Sequence, residues 1–274
     1  MTRHINLLTV FLKYNHLINL SFSPSVILMQ KPVIVDIFIP CFVDQVAPHI
    51  GFNMVKVLEK VGCQVNYNPE QTCCGQPAYN AGYFDESREV AKKFLKDFPH
   101  KDRYIVSPSA SCVGMIRNSY DTLFDKNSPQ INAYHQVENN TYEFSEFLVD
   151  FIGVDHIEGA KLPGVATYHD SCSALRECHI KEGPRRLLAG VEDLELRELI
   201  DNETCCGFGG TFAVKFESIS VGMAEQKVLH AVETKADYIV STDFSCLMHL
   251  NGYINKNNMA IKVMHLADVL ASGW

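Results

Sequence analysis

Eight of the ten cysteines form a pattern that occurs twice along the chain. In each copy, a lone cysteine is followed by a Cys-Cys-Gly motif and then by a further cysteine. Cys73 follows Cys41 by 32 positions, and Cys205 follows Cys172 by 33. Thiolates are soft ligands that suit iron–sulfur clusters, zinc and copper(I). We call the first set, which consists of Cys41, Cys73, Cys74 and Cys112, the first quartet. The second quartet consists of Cys172, Cys205, Cys206 and Cys246.

The arrangement of these thiols favours iron–sulfur ligation and therefore electron transfer. A cubane cluster usually needs four cysteines, and each quartet supplies four. Adjacent thiols such as Cys73 and Cys74 reach two different irons more easily than one small ion. Zinc sites generally contain C-x2-C pairs, and no two cysteines of this chain have that spacing. A zinc site, a vicinal disulfide, a dithiol switch and independently buried thiols remain as alternatives.

Residues close to the quartets have candidate roles of their own. Gly75 and Gly207 follow the two Cys-Cys pairs, and they would let the backbone turn sharply or pass close to a cluster. His169 stands three residues before the second quartet begins, where it could donate a hydrogen bond to a sulfur or move a proton, or simply cap the next turn. The two remaining cysteines, Cys63 and Cys178, are predicted to be structural thiols.

Composition narrows the class of protein and its partners. The 274 residues are 47% hydrophobic and 20% charged, which is typical of a globular protein rather than a disordered one. The net charge is −8 and the basic residues are scattered, so we expect no nucleic-acid partner, because phosphate binding needs clustered cations. Cysteine is too sparse for a disulfide scaffold and instead indicates metal or redox chemistry in a reducing compartment.

The first 31 residues differ from the rest of the chain. Their apolar run is interrupted by Lys13, Tyr14, Asn15 and His16, and it is too short to span a membrane. We predict that residues 1–31 are an extension or a misassigned start, with a secretion signal as the alternative. No other segment is apolar enough to cross a bilayer, so we expect no integral membrane span.

Strands alternate with helices in the predicted secondary structure. The predicted strands cover residues 33–39, 64–67, 104–107, 165–169, 194–199 and 238–241. Segment 125–140 is polar and is predicted to be a linker or surface insertion, and segment 142–152 is predicted to be a helix. This order predicts an α/β fold of two tandem, internally repeated units, 32–155 and 156–274, with mostly parallel sheets flanked by helices. Ligands of such folds gather outside the carboxyl ends of the strands, where each quartet would converge.

The motifs resemble those of a known family. The doubled C…CCG…C pattern, the YHDSC of residues 168–172 and the CCGFGGTFAVKF of residues 205–216 are similar to the cysteine-rich CCG-domain family, and in particular to its lactate-utilisation protein A group. The resemblance covers residues 32–274. It implies a cytoplasmic electron-transfer component of a complex that oxidises L-lactate to pyruvate, with one or two iron–sulfur clusters, of the [4Fe-4S] type, bound by the eight cysteines. It also implies two partner proteins, one of which carries ferredoxin-type clusters.

The sequence departs from some relatives in that family. In the heterodisulfide reductase relatives a fifth thiol holds a non-cubane cluster, whereas this chain has Met115 and His249 at those positions. Ser173 replaces a histidine that often follows the first cysteine of the second quartet. The chain has no C-x2-C-x2-C run and no G-x-G-x-x-G fingerprint, so the chemistry of lactate itself is assigned to a partner. The alternatives are a non-catalytic metal-binding scaffold, a thiol redox sensor and a cluster-based disulfide reductase.

Overall fold

Residues 32–274 are described by a computed structural model, and the predicted extension over residues 1–31 lies outside the described range. Strands and helices alternate along these residues and build two four-stranded sheets. Every strand pair within the two sheets is parallel. The predicted α/β class with a repeated parallel sheet is therefore confirmed. Over the same residues, each helix is too short or too polar to cross a bilayer.

The first half of the chain forms the first sheet and the helices around it. Its elements are β1 (Ile34–Ile37), α1 (Cys41–Val46), α2 (Pro48–Lys60), β2 (Gln64–Tyr67), α3 (Gln76–Asn80), α4 (Phe84–Asp97), β3 (Tyr104–Ser107), α5 (Ala110–Ser119), α6 (Pro129–Asn140), β4 (Thr141–Glu143) and α7 (Phe144–Glu146). A 3-10 turn over Tyr120–Leu123 follows α5, and a π-helical turn over Phe147–Ile152 follows α7. The prediction of a linker over 125–140 is wrong, because most of that segment forms α6.

The second half repeats the plan of the first. Its elements are β5 (Lys161–Tyr168), α8 (Cys172–Arg176), α9 (Glu182–Ala189), β6 (Glu192–Leu196), α10 (Thr211–Lys215), α11 (Glu217–Glu233), β7 (Tyr238–Ser241), α12 (Phe244–Lys256), β8 (Lys262–His265) and α13 (Leu266–Leu270). The strand order is β2-β1-β3-β4 in the first sheet and β6-β5-β7-β8 in the second. In each sheet the strand order therefore reverses between two neighbouring strands, which are β1 and β3 in the first sheet and β5 and β7 in the second.

The central strands β3 and β7 are short, apolar and mostly buried. β3 and β7 have the same sequence, YIVS, and three of the four residues in each are buried. Continuous β-branched runs of this kind suit the middle of a parallel sheet that helices cover on both faces. Val35 of β1 aligns with Tyr104 of β3, and Ala166 of β5 aligns with Tyr238 of β7. Because all strands of a sheet are parallel, the loops that carry the cysteines leave each sheet at its carboxyl end.

One hydrophobic core joins the two halves. It includes Val35 from the centre of the first sheet and Tyr168 from the centre of the second. Ser109 and Asp243, which occupy equivalent positions of the repeat, form an antiparallel bridge across the junction. The two halves are therefore packed as one unit over residues 32–274, and the loops after β3 and β7 meet at the junction.

Candidate metal centre

Both quartets lie at the carboxyl ends of the strands of their sheets. Cys41 begins α1 after β1, Cys73 and Cys74 lie in the turn between β2 and α3, and Cys112 lies in the first turn of α5 after β3. The strand order reverses between β1 and β3, and α/β sheets bind ligands at such a point. The second quartet occupies the equivalent loops of the second half, after β5, β6 and β7. Residues far apart in sequence thus converge at the carboxyl ends of the strands in each sheet.

The sulfur atoms of the first quartet form two close pairs. The Sγ atoms of Cys41 and Cys73 are 4.0 Å apart, and those of Cys74 and Cys112 are 3.4 Å apart. Each of the adjacent residues Cys73 and Cys74 therefore has a partner sulfur from another loop, in Cys41 and Cys112 respectively. Cys74 and Cys112 are buried, whereas Cys41 and Cys73 are half-buried.

The second quartet has the same pattern of burial. The side chain of Cys205 perturbs the pKa of both Cys172 and Cys206, so these thiols lie close together. Cys206 and Cys246 are buried and the other two are half-buried, so each half has an inner pair and an outer pair of sulfurs. The repeat in sequence is thus also a repeat in the burial of the thiols.

Gly75 and Gly207 complete the turns at the Cys-Cys pairs. Their φ angles are +85° and +93°, in the left-handed region that favours glycine. Each backbone N–H donates a hydrogen bond to the sulfur two residues earlier, at 3.3 Å to Cys73 Sγ and 3.4 Å to Cys205 Sγ. Such donors stabilise a thiolate and would also stabilise the sulfur of a bound metal centre.

The thiols of each quartet differ in acidity. Hydrogen bonds from Cys41 and Cys74 lower the pKa of Cys73 to about 3, so this residue is a thiolate. Equivalent hydrogen bonds lower the pKa of Cys205. Hydrogen bonding to neighbouring sulfurs and burial raise the pKa of Cys74 and Cys206 well above that of a free thiol. In each Cys-Cys pair the first thiol is therefore the more acidic of the two. A bound soft cation would favour ionisation of both, because metals bind thiolates.

His169 lies beside the inner sulfurs of the second quartet. One of its ring nitrogens and the Sγ atoms of Cys206 and Cys246 all lie within 4.8 Å of one another. The side chain is fully buried, and neither ring nitrogen has a hydrogen-bond partner among residues 32–274. Burial, assisted by the positive charge of Lys227, lowers the pKa of His169 to about 3, so the ring is neutral. A neutral imidazole has a free nitrogen lone pair, which is what a metal requires.

One cavity of about 560 Å³ opens onto both quartets. All eight cysteines line it, together with the acidic side chains of Glu177 and Asp243. Phe42 and Phe208 also line the cavity and make an edge-to-face contact across the junction, with ring centroids 5.8 Å apart. Asp243 Oδ2 accepts a hydrogen bond from the Ser111 N–H at 2.9 Å, which ties the second half to the helix that carries the last cysteine of the first quartet. The two candidate centres therefore face a common space.

The candidate residues Gly75, Gly207 and His169 lie beside the quartets, as described above. Cys63 lies in the shared core, and buried Cys178 contacts the Ala110 carbonyl oxygen at 3.5 Å. His249 Nε2 lies 3.1 Å from the Ser220 hydroxyl. Cys63 and Cys178 thus have the surroundings of buried structural thiols.

Three residues near the centre had no place in the sequence analysis. Asp243 holds the position in the second half that Ser109 holds in the first, so a comparison of the repeats could have drawn attention to it. Glu177 comes from a loop of the second half but packs on Gly114 of the first, and no local pattern encodes that contact. Lys227 lies within α11, where nothing in the sequence distinguishes it from a surface lysine.

The family model described as CCG: Cysteine-rich domain matches residues 35–117 and 166–251. Each matched segment contains one whole quartet, so the model matches both halves. The chain belongs to the cysteine-rich CCG-domain family. Together with the cluster of His169, Cys206 and Cys246, this membership indicates metal binding.

Curated relatives define the group within the family. Lactate utilization protein A of Geobacillus sp. (strain WCH70) is 41% identical to this chain over 238 residues, which cover 87% of this chain and 99% of the relative. Lactate utilization protein A 1 of Bacillus cereus (strain AH820) is 42% identical over 238 residues, which cover 87% of this chain and 98% of the relative. The resemblance to the lactate-utilisation protein A group is therefore confirmed over the whole length of these relatives.

A solved structure shares the fold. The crystal structure of a hypothetical protein from Helicobacter pylori matches with a TM-score of 0.56 at 12% sequence identity. The match covers 89% of this chain and 49% of the other, so this chain spans about half the length of that protein. At this identity the likeness concerns the fold alone.

Proposed function

We propose that this CCG-family protein is the iron–sulfur electron-transfer component of a system that oxidises L-lactate to pyruvate. The observation that carries the proposal is the convergence of two thiol quartets on one cavity. The chain is 41% identical to a lactate utilization protein A over 99% of that relative's length, which supports a role in lactate oxidation. Oxidation of lactate to pyruvate releases two electrons, and two one-electron centres in one chain match that number.

The donor set supports iron–sulfur clusters of the [4Fe-4S] type, one in each half. The first quartet would hold one cluster and the second quartet the other, because each supplies four sulfurs arranged as an inner and an outer pair. When bound, such a cluster supplies reversible one-electron transfer. The N–H groups of Gly75 and Gly207 would stabilise the ligand sulfurs through the hydrogen bonds described above.

The protein around the quartets would control access to the centres. Phe42 and Phe208 close part of the cavity with apolar surface, which limits contact between water and the sulfurs. Asp243 fixes the relative position of the two halves through its hydrogen bond to Ser111, so the distance between the two centres is held constant. Electrons could therefore pass between the centres without rearrangement of the fold.

The proposal extends to partners and location. We infer that two other proteins complete the system, that one of them carries ferredoxin-type clusters, and that a partner carries out the chemistry on lactate itself. A cytoplasmic location follows from the same inference, because free thiols persist in a reducing compartment. The chain would then be a subunit of an oxidoreductase rather than an enzyme that acts alone.

The first experiment tests the cofactor. The protein is purified without oxygen, and iron, acid-labile sulfide and zinc are measured beside the visible spectrum. We expect iron and sulfide in equal amounts with the broad visible absorption of iron–sulfur clusters. Zinc without sulfide, or a folded protein without metal, would overturn the proposal.

The second experiment tests the lactate role separately. The loaded protein is mixed with the two proposed partner proteins, and L-lactate is added without oxygen. We expect the visible absorption to bleach with L-lactate. Bleaching by a chemical reductant but not by L-lactate would keep the cluster and refute the assignment to lactate oxidation.

A specific observation also favours a second candidate, a zinc-binding scaffold. Zinc–thiolate bonds of about 2.3 Å in a tetrahedron give sulfur–sulfur distances of about 3.8 Å. The separations of 4.0 Å and 3.4 Å in the first quartet lie on either side of that value. The zinc and sulfide measurements above decide between the two candidates.

A further inference from the structure

The two candidate centres have different surroundings at equivalent positions of the repeat. His169 stands three residues before the first cysteine of the second quartet, and Phe38 stands three residues before that of the first. Both side chains are fully buried. The ring of Phe38 packs edge-to-face on Phe94, with centroids 4.9 Å apart. The first centre therefore has an apolar wall where the second has an imidazole.

A second pair of equivalent positions shows the same contrast. Ser87 of α4 and Ser220 of α11 both donate a hydrogen bond to the carbonyl of the glycine in their own Cys-Cys-Gly turn, which fixes the correspondence of the two helices. Seven residues further along these helices stand Phe94 and Lys227. Lys227 is 1% exposed, and its Nζ donates to the carbonyls of residues 201 and 202 at 2.6 and 3.2 Å. A buried cation thus lies behind the second centre alone.

The imidazole of His169 has no binding partner for its ring nitrogens among residues 32–274. Both nitrogens are buried and have no hydrogen-bond partner within residues 32–274, and an unsatisfied buried polar group costs about 1–3 kcal/mol. A ring nitrogen and two inner sulfurs of the second quartet, those of Cys206 and Cys246, lie within 4.8 Å of one another. A metal atom among these three donors would satisfy the imidazole. Burial of a polar ring beside a metal site is difficult to explain by packing, because the first half fills the same position with Phe38.

We propose that His169 is a nitrogen ligand of the second metal centre, and that the second centre consequently has the higher reduction potential of the two. This inference rests on the proposed iron–sulfur function. A cubane cluster has four irons, so His169 would bind one of them in place of one of the four thiolates of the second quartet. Replacement of a thiolate by a neutral imidazole raises the potential of an iron–sulfur centre, since less negative charge surrounds the iron. The cation of Lys227 acts in the same direction. Electrons would therefore pass from the first centre to the second.

The carboxylate of Asp243 opposes this order, because it lines the cavity beside Cys172 and Cys246 and places negative charge near them. The same carboxylate accepts hydrogen bonds from the Ser111 N–H at 2.9 Å and from the Ser245 hydroxyl at 2.7 Å, and it lines the cavity that both quartets share. Its charge therefore acts on both centres, whereas His169 acts on the second alone.

Pulsed electron paramagnetic resonance of the reduced protein tests the ligand directly. Wild-type protein, purified and loaded without oxygen, is titrated with a chemical reductant, and the nitrogen coupling and the potential of each signal are recorded. We expect one of the two cluster signals to show strong nitrogen coupling and to be reduced first. His169→Phe, which installs the residue of the first half, should abolish that coupling and shift the signal to lower potential. His249→Phe, the same change at a histidine of α12 in the same half, should keep the coupling.

The outcomes separate this inference from the proposed function. Clusters that are present but show no nitrogen coupling in the wild-type protein would overturn the role of His169 and leave the iron–sulfur function standing. Persistence of the coupling in His169→Phe would also overturn it. A wild-type protein without iron or sulfide would overturn the proposed function itself. The wild-type spectrum decides even if the variant fails to fold.

Discussion

The left-handed turn at Gly207 provides a quantitative test of how the second quartet is positioned. A Cβ atom at this residue would lie 2.6 Å from the Ser220 carbonyl oxygen and 2.8 Å from Met223 Cβ, both in α11. The φ angle of +93° adds backbone strain for any residue other than glycine. Gly207→Ala should therefore destabilise the fold and push the Cys-Cys turn away from α11.

The magnitude has three contributions. Holding an alanine at positive φ costs roughly 1–2 kcal/mol. Overpacking against a helix backbone costs roughly 1–3 kcal/mol more. Restriction of the unfolded chain by alanine returns about 0.4–1 kcal/mol. The expected net loss in the free energy of unfolding is therefore about 1–5 kcal/mol, and the metal content of the second half should fall with it.

Gly62→Ala is the matched control. Its φ angle of +89° is nearly the same, but its Cβ would have no atom within 4 Å. The difference between the two variants thus isolates the steric part, about 1–3 kcal/mol. Urea unfolding followed by circular dichroism measures both free energies, and metal analysis measures loading. Equal losses in the two variants would refute the reasoning, because backbone strain alone would then account for the effect.

Three further predictions concern single residues. Cys206→Ser should remove metal from the second half and leave that of the first, and loss of all metal would contradict two separate centres. Burial raises the pKa of Glu143 from 4.5 to about 8. Because the folded state holds a proton between these values that the unfolded state has lost, the free energy of unfolding should fall by roughly 3–5 kcal/mol as pH rises from 4.5 to 8. Glu143→Gln should flatten this profile in unfolding measured as a function of pH. Asp170 is buried and pairs with Arg185 at 2.7 Å, and the same Arg185 also pairs with the exposed Glu198. Asp170→Asn should lower the free energy of unfolding by roughly 3 kcal/mol in thermal or urea unfolding, whereas Glu198→Gln should lower it by less than about 1 kcal/mol. Equal losses would contradict the argument from burial.

The alternation of strands and helices predicted the α/β class, and the doubled cysteines predicted the convergence of the quartets. This succeeded because the chemistry stands at the ends of strands that have a strong local pattern, such as the YIVS of β3 and β7. Parallel strands in register then bring distant loops to one edge without further information. The spacing of the thiols was sufficient to recognise the repeat.

Local patterns failed where few residues are buried or where the halves meet. α6 buries only Tyr134 and Val137 among its residues, so its polar sequence resembled a linker. β4 is three residues long and joins the sheet through pairing with β3, which no local run could indicate. The hydrogen bond from Ser111 to Asp243 spans 132 residues and depends on how the halves pack. The common cavity could not be predicted for the same reason.

Anomalous scattering at the iron absorption edge tests the central claim most directly. Crystals of protein purified without oxygen are measured above and below the edge, and the difference map is compared with the positions of the eight cysteine sulfurs. We expect two separate iron peaks, one enclosed by the first quartet and one by the second. Peaks at the zinc edge alone, iron outside the quartets, or quartets without any metal would contradict it.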